Sequence, residues 1–169
     1  MATRLEAVPE NIRISTVTSI NPVILREIAT LTIVAWGRNP TADQIDQRIQ
    51  NLEQEVKTLE PSKKGLFVAQ KQEMIVGFSK VVRDENDVSQ WWLLGLVVHP
   101  HHRRQRIGSA VVRACITYAQ QQGARIIRSE THLDNEASIR CHESVGFQND
   151  GKFMARDGDE KIAFSFSLP

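Results

Sequence analysis

The sequence predicts an α+β domain built around one mixed, mostly antiparallel central sheet flanked by helices, and three observations carry that prediction. Apolar runs of strand character alternate with segments of helical period from end to end. Three of the strand-like runs follow one another with only short polar turns between them. Two helices open on asparagine, a residue that caps helix N-termini. The element order read from the chain is β-α-α-β-β-β-α-β-α-β-β, a single domain over residues 1–169 with a flexible N-terminus over 1–10.

The first strand is "NIRISTVT", where Ile12 and Ile14 alternate with polar neighbours. Asn21-Pro22 then opens a helix, because proline's fixed φ and missing N–H suit the first helical position. A second helix starts at Thr41 and places Ile45, Ile49, Leu52, Val56 and Leu59 on one face, with Pro61 ending it soon after. The runs "GLFVAQ", "MIVGFSKVV" and "SQWWLLGLVV", joined by "KQE" and "RDEND", predict a three-stranded meander. Ile107 to Gln122 is helical and stops at Gly123; "ARIIRSET" is a strand; "NEASIRCHESV" is a helix capped by Asn135 and closed by Gly146. The last two strands, "FMAR" and "KIAFSFSL", are joined by the turn "DGDE".

Composition narrows the function classes. With 41% hydrophobic and 24% charged residues the chain has the mix of an ordinary globular domain. No apolar run approaches the roughly 20 residues that span a bilayer, and the N-terminus lacks the apolar core of a signal peptide, so a cytoplasmic protein without membrane partners is expected. The two cysteines, Cys115 and Cys141, show no paired spacing and are expected as reduced thiols. A net charge of +1 gives no global basic excess of the kind nucleic-acid binders carry, so any positive patch must be local.

Such a patch lies in "VVHPHHRRQRIGSAVV", Val97 to Val112. A strand here feeds through a loop into a helix, so consecutive backbone N–H groups face outward at a helix N-terminus and attract anions. Arg103, Arg104 and Arg106 add charge at that point, while Gly108 and Ser109 add no bulk. A phosphate or pyrophosphate fits best. A metal would have to use His99, His101 and His102, but Pro100 predicts an extended segment in which the last two point apart, and no Asp, Glu or Cys completes the set. No metal is therefore expected. RNA would need an aromatic platform, which Trp91 and Trp92, in a strand that reads as buried, do not offer, so no nucleic-acid partner is expected.

"VVHPHHRRQRIGSAVVRAC", followed some thirty residues later by "NEASIRCHESVGF", resembles the two central motifs of the GNAT superfamily of N-acetyltransferases. The element order is similar to that fold over nearly the whole chain. The family's first motif is Arg or Gln, two residues, Gly, one residue, then Gly or Ala, here falling on Arg103, Arg106 and Gly108, with Arg106 where the family usually has glycine. The second falls on Asn135, Ser138, Ile139, Gly146 and Phe147. The resemblance implies acetyl-coenzyme A as acetyl donor and a primary amine, most simply a small molecule, as acceptor; a homodimer is compatible with it. It implies that the pantetheine arm pairs with the strand at Leu96, Val97 and Val98. The pyrophosphate would rest on Arg103, Arg104, Gln105, Arg106, Ile107, Gly108 and Ser109, with Asn135 and Ser138 bordering the cofactor. A backbone N–H near Val98 would also suit the thioester carbonyl. Gly95 reads equally as a bulge in that strand or as simple packing.

Transfer needs a neutral amine, so a base must take a proton from an ammonium whose pKa is about 10.4. Where many family members carry a strand glutamate this chain has Leu94. The nearest replacements are Glu130 and His132, which share a strand face, and His99; Glu130 is the expected base. His142 occupies the place of the family's usual tyrosine and is the expected acid for the leaving thiolate. Cys141, its neighbour, points about 100° away on the helix and is expected to pack rather than to react. Trp36 and Trp92 are candidate walls for the acceptor, and Asp43, Asp46, Asp84, Glu85, Asp87 and the "DGDE" turn are candidate acidic borders compatible with a cationic one. A protein or peptide amine as acceptor, and acetyl-coenzyme A sensing without turnover, stay open.

Overall fold

The computed structural model describes residues 8–169. Most of the N-terminal stretch expected to be flexible, residues 1–7, lies outside the described residues. The described elements are β1 (Ile12–Thr16), α1 (Pro22–Val34), α2 (Ala42–Lys57), β2 (Lys64–Lys71), β3 (Met74–Arg83) and β4 (Gln90–Val98). After a single 3-10 turn at Pro100–His102 come α3 (Ile107–Gln121), β5 (Ile126–His132), α4 (Glu136–Val145), β6 (Gln148–Met154) and β7 (Glu160–Ser167). This is the order the sequence predicts. None of these helices is long and apolar enough to cross a membrane.

The strands form one sheet in the order β1-β2-β3-β4-β5-β7-β6. Every pairing is antiparallel except β4 with β5, which a crossover through α3 makes parallel. Both faces of the sheet are covered, and β2 shows how. Leu66 and Val68 point to the side of α1 and α2, where they meet Leu25, Ile28, Leu52 and Val56. Phe67 and Ala69 point to the side of α3 and α4, where they join Trp91, Val111, Val112, Ile127 and Phe164. A run that is apolar at every position, rather than at alternate ones, is what a strand buried on two sides requires. Each of these larger side chains, taken fully from water, contributes about 1.5–3 kcal/mol.

The helix entries follow their capping residues. Asn21 accepts from the N–H groups of Val23 and Ile24, and Thr41 and Gln44 form a reciprocal capping box at the start of α2. Two local expectations are corrected. The strand predicted from "FMAR" begins earlier, at Gln148, because β6 is an exposed edge strand whose pairing with β7 starts at Gln148–Ser165 and passes a bulge near Gly151. The loop after β4 is not extended at Pro100: it turns through Pro100–His102 and brings the rings of both His101 and His102 to 5.4 Å from that of His99. Even so, no cluster of His, Cys, Asp or Glu able to hold a metal is present among the described residues.

Candidate active site

The sheet is forked. β4 and β5 pair only where Gln90, Trp91 and Trp92 meet Ile126, Ile127 and Arg128. Beyond those residues the strands diverge, and a cavity of about 290 Å³ opens between them. The divergence has a cause in β4. Phe78 of β3 faces Val97 and Lys80 faces Leu94, so Gly95 and Leu96 together oppose the single residue Ser79. This is a β-bulge, with Gly95 at φ +64°, the left-handed conformation in which a side chain would be strained. Of the two readings of Gly95, the bulge is the one realised. Ser79 closes the irregularity by donating to the Leu94 carbonyl at 3.0 Å.

The end of β4 meets the first turn of α3, where a Cβ on Gly108 would lie 3.5 Å from Val98 Cγ2. Arg104 and Arg106 both take left-handed conformations, at φ +59° and +60°. Arg106 is the N-cap of α3 and provides no side-chain cap to the first N–H groups of the helix. The positive φ also explains why glycine suits this position, since an L-residue there stores about 1–2 kcal/mol of strain. The expected cradle residues divide into backbone and packing roles. Gly108 faces inward: a Cβ there would lie 3.3 Å from the Cys141 sulfur and 3.5 Å from Val98 Cγ2, so its bareness lets α3 press against α4 and β4. Ser109 Oγ lies 3.3 Å from Ser144 Oγ, again tying α3 to α4. The guanidinium of Arg103 donates to the carbonyls of Ala35 and Val98, the latter at 3.4 Å, and Gln105 accepts from Lys71 at 3.1 Å. Ile107 and Val97 are buried and can offer only backbone, whereas Leu96 lines the cavity.

The cavity wall on the β4 side is Trp92, Leu93, Leu94, Gly95 and Leu96; on the β5 side it is Ser129, Glu130, Thr131 and His132. Asn135, Ser138, His142 and Lys161 close the far end, and Trp36, 56% exposed, stands at the rim toward a second groove lined by Asp43 and Arg48. Both tryptophans expected at the acceptor wall therefore border the cavity. None of the acidic candidates lines it, and Asp43 lines the second groove instead. Asp84 accepts from the Trp92 indole at 2.9 Å and organises the β3–β4 turn, while Asp46 faces Arg26 at 3.5 Å.

Asn135 caps α4, its side chain accepting from the Ser138 N–H at 3.1 Å. His142 is only 1% exposed, stacked on Phe164 at 4.7 Å and edge-on to Phe147. Its Nδ1 lies 2.7 Å from the Ser138 carbonyl, which can only accept, so Nδ1 carries the proton. Nε2 is then left to accept from Ser129 Oγ at 2.8 Å. Burial pushes the pKa of His142 below the usual histidine range. The ring is thus neutral at pH 7, with its one N–H engaged. Glu130 is exposed on the cavity side of β5. Three wall residues that the sequence did not single out, Ser129, Thr131 and Lys161, come together through the pairing of β5 with β7, in which His132 faces Lys161. Strand alternation in "RSETH" was the available signal for the first two; nothing local marked Lys161.

The family model for "Acetyltransferase (GNAT) family" matches residues 25–147, a span holding the fork, the loop and α4. The chain belongs to the GNAT acetyltransferase family. Among relatives, it is 31% identical over 91 residues to N-acetyltransferase family 8 member 3 of Rattus norvegicus, covering 52% of this chain and 40% of that one. It is 33% identical over 63 residues to aminoglycoside N(6')-acetyltransferase type 1 of Acinetobacter haemolyticus, covering 37% and 43%. The chain therefore spans less than half the length of either relative. A solved aminoglycoside 6'-N-acetyltransferase complexed with coenzyme A shares the fold, with a TM-score of 0.74 at 18% identity over 93% of this chain and 98% of that one. In this GNAT domain the fork and the start of α3 both lie within the matched span.

Proposed function

We propose that the protein transfers the acetyl group of acetyl-coenzyme A to a primary amine of a small molecule by direct attack. The observation that carries this is the fork: an extended, amide-bearing arm fits between β4 and β5 by adding to the edge of β4, and the end of β4 meets the first turn of α3, which has no side-chain cap. In this reading the backbone of Leu96, Val97 and Val98 takes the arm, and Arg103 to Ser109 receive the pyrophosphate through backbone N–H groups and the field of Arg104 and Arg106. Asn135 and Ser138 border the thioester end. Glu130 meets the ammonium of the acceptor. The neutral, buried state of His142 makes it a poor proton donor, so the thiolate is protonated from solvent and His142 instead fixes Ser129 against α4. The small-molecule acceptor is favoured by the cavity's size and by the aminoglycoside enzymes among the relatives. The pocket is built within one chain, which is compatible with a monomer or a homodimer, and a cytoplasmic setting belongs to the same reading.

Calorimetry with acetyl-coenzyme A and thiol release with a panel of primary amines test it. Saturable binding with amine-dependent thiol release is expected; absence of binding would overturn the proposal, and binding without release would make the protein a sensor.

A further inference from the structure

We infer that His132, oriented by Asp159, is the base that deprotonates the acceptor amine, with Glu130 holding the ammonium beside it; this rests on the acetyltransferase reading above. Glu130 and His132 stand two residues apart on one face of β5 and both line the cavity. His132 Nδ1 lies 3.7 Å from Asp159 Oδ2, in the turn between β6 and β7, longer than a hydrogen bond but within reach of one on a small turn of the ring, and the two side chains are 44% and 59% exposed. Lys161, opposite His132 on β7, is ion-paired with Asp157 at 3.0 Å, so the turn's other carboxylate, Asp159, is the one engaged with the imidazole.

The surroundings leave few other bases. The β4 wall contributes Trp92, Leu94 and Leu96, none of which takes up a proton, and the start of α4 contributes the uncharged Asn135 and Ser138. Lys161 is a cation in an ion pair, and His142 already uses both ring nitrogens within the core. Between a carboxylate and an imidazole, the imidazole exchanges a proton most readily near neutral pH. An Asp–His pair reaching a nucleophile is also the arrangement by which a carboxylate fixes the imidazole tautomer. Among the described residues Glu130, Asp157 and Asp159 face Lys161 at this end, while Arg128, further back on the same strand face, is engaged with Gln90, so the local field favours an ammonium.

The step balances as follows. His132 Nε2 accepts one proton from the ammonium. The freed nitrogen lone pair forms the N–C bond with the thioester carbonyl carbon, the C–S bond breaks, and sulfur leaves with the electron pair. The remaining extra amine proton passes through solvent to the thiolate, and His132 returns its own proton to solvent.

The experiment compares wild type, His132→Ala, His132→Gln and Asp159→Asn by thiol release between pH 6 and 9. The probes are ethanolamine, spermidine and kanamycin, which are ammonium ions at pH 7, and trifluoroethylamine, which is already neutral there. Both His132 replacements are expected to lower kcat on the ammonium probes by roughly 10²-fold, with acetyl-coenzyme A affinity unchanged, while trifluoroethylamine loses less than about threefold. Asp159→Asn is expected to lower kcat about tenfold on the ammonium probes while trifluoroethylamine stays within about threefold, because a misoriented ring matters only where a proton must be taken. A loss within about threefold on the ammonium probes, or an equal loss on trifluoroethylamine, would overturn the role of His132 alone. For Asp159→Asn, full activity on the ammonium probes, or an equal loss on trifluoroethylamine, would overturn the role of Asp159. Wild type that binds acetyl-coenzyme A yet releases thiol with none of these amines would overturn the acetyltransferase reading and this inference together.

Discussion

α3 and α4 both begin just past the end of a strand of the fork, yet their N-termini are built in opposite ways. α4 has Asn135 closing on the Ser138 N–H and Glu136 in its first turn. α3 has a left-handed arginine, no side-chain cap and no acid in its first turn. A capped start is satisfied within the protein and repels a second anion, whereas an uncapped start surrounded by arginine keeps its partial positive charge for something else. In this molecule, the missing cap supports the proposed pyrophosphate position better than the arginines themselves do, since Arg103 is turned onto the carbonyls of Ala35 and Val98.

The sharpest way to break the contrast is Gly108→Val. The added methyl groups would enter the space held by the Cys141 sulfur and Val98, an overpacking expected to cost about 1–3 kcal/mol, and the displaced first turn should weaken acetyl-coenzyme A binding more than about tenfold. Denaturation and calorimetry read the two effects, and unchanged affinity in a folded variant would separate this turn from the anion site.

His142→Gln probes the interior of α4. Because its folded pKa lies below the ordinary 6.5, the unfolded chain binds the proton first as pH falls. The stability owed to this group is whole above about pH 6.5 and declines from there toward the depressed folded value, by at most about 1.4 kcal/mol per pH unit. Urea titrations at pH 7 and 5 should show wild type losing stability that the variant does not lose.

Asn135→Ala removes the α4 cap and is expected to lower stability by about 1 kcal/mol, measured by the same denaturation, with acetyl-coenzyme A still bound. The smallest effect belongs to Arg106→Gly. Relief of the left-handed strain is opposed by glycine's entropy in the unfolded chain, so stability should hold or rise by no more than about 1 kcal/mol. Affinity should stay within about threefold at high salt, where the field of a single arginine is screened. A large loss of affinity at every salt concentration would mean that the Arg106 side chain itself grips phosphate.

The contrast also explains what could be read in advance. The eleven-element order was legible because each strand and helix announces itself by local period and caps, as in the capping box of Thr41 and Gln44. The loop proposed to take an anion could be picked out because it is contiguous. The cavity was only half legible: Glu130 and His132 follow from strand alternation, but Lys161 arrives through the register between β5 and β7, which no local pattern encodes. The orientation of His142 was hidden for a related reason. Helical period gives its face, while the bond to the Ser138 carbonyl and the stacking on Phe164 arise from how α4 settles on the sheet. The early start of β6 was masked by the polar run "QNDGK", which an edge strand tolerates and a core strand does not.

The fork also places a stretch of sheet edge inside the molecule. From Leu94 to Val98, the amides of β4 that turn away from β3 lack a neighbouring strand, because β5 has already left the ladder at Arg128. In deuterated water these few amides should exchange far faster than those of Trp91 and Trp92, which lie in the same strand on the paired side of the fork. A bound extended arm would reverse that order residue by residue. The protection gained would then mark how far the arm reaches along β4 without any need to know what it acetylates.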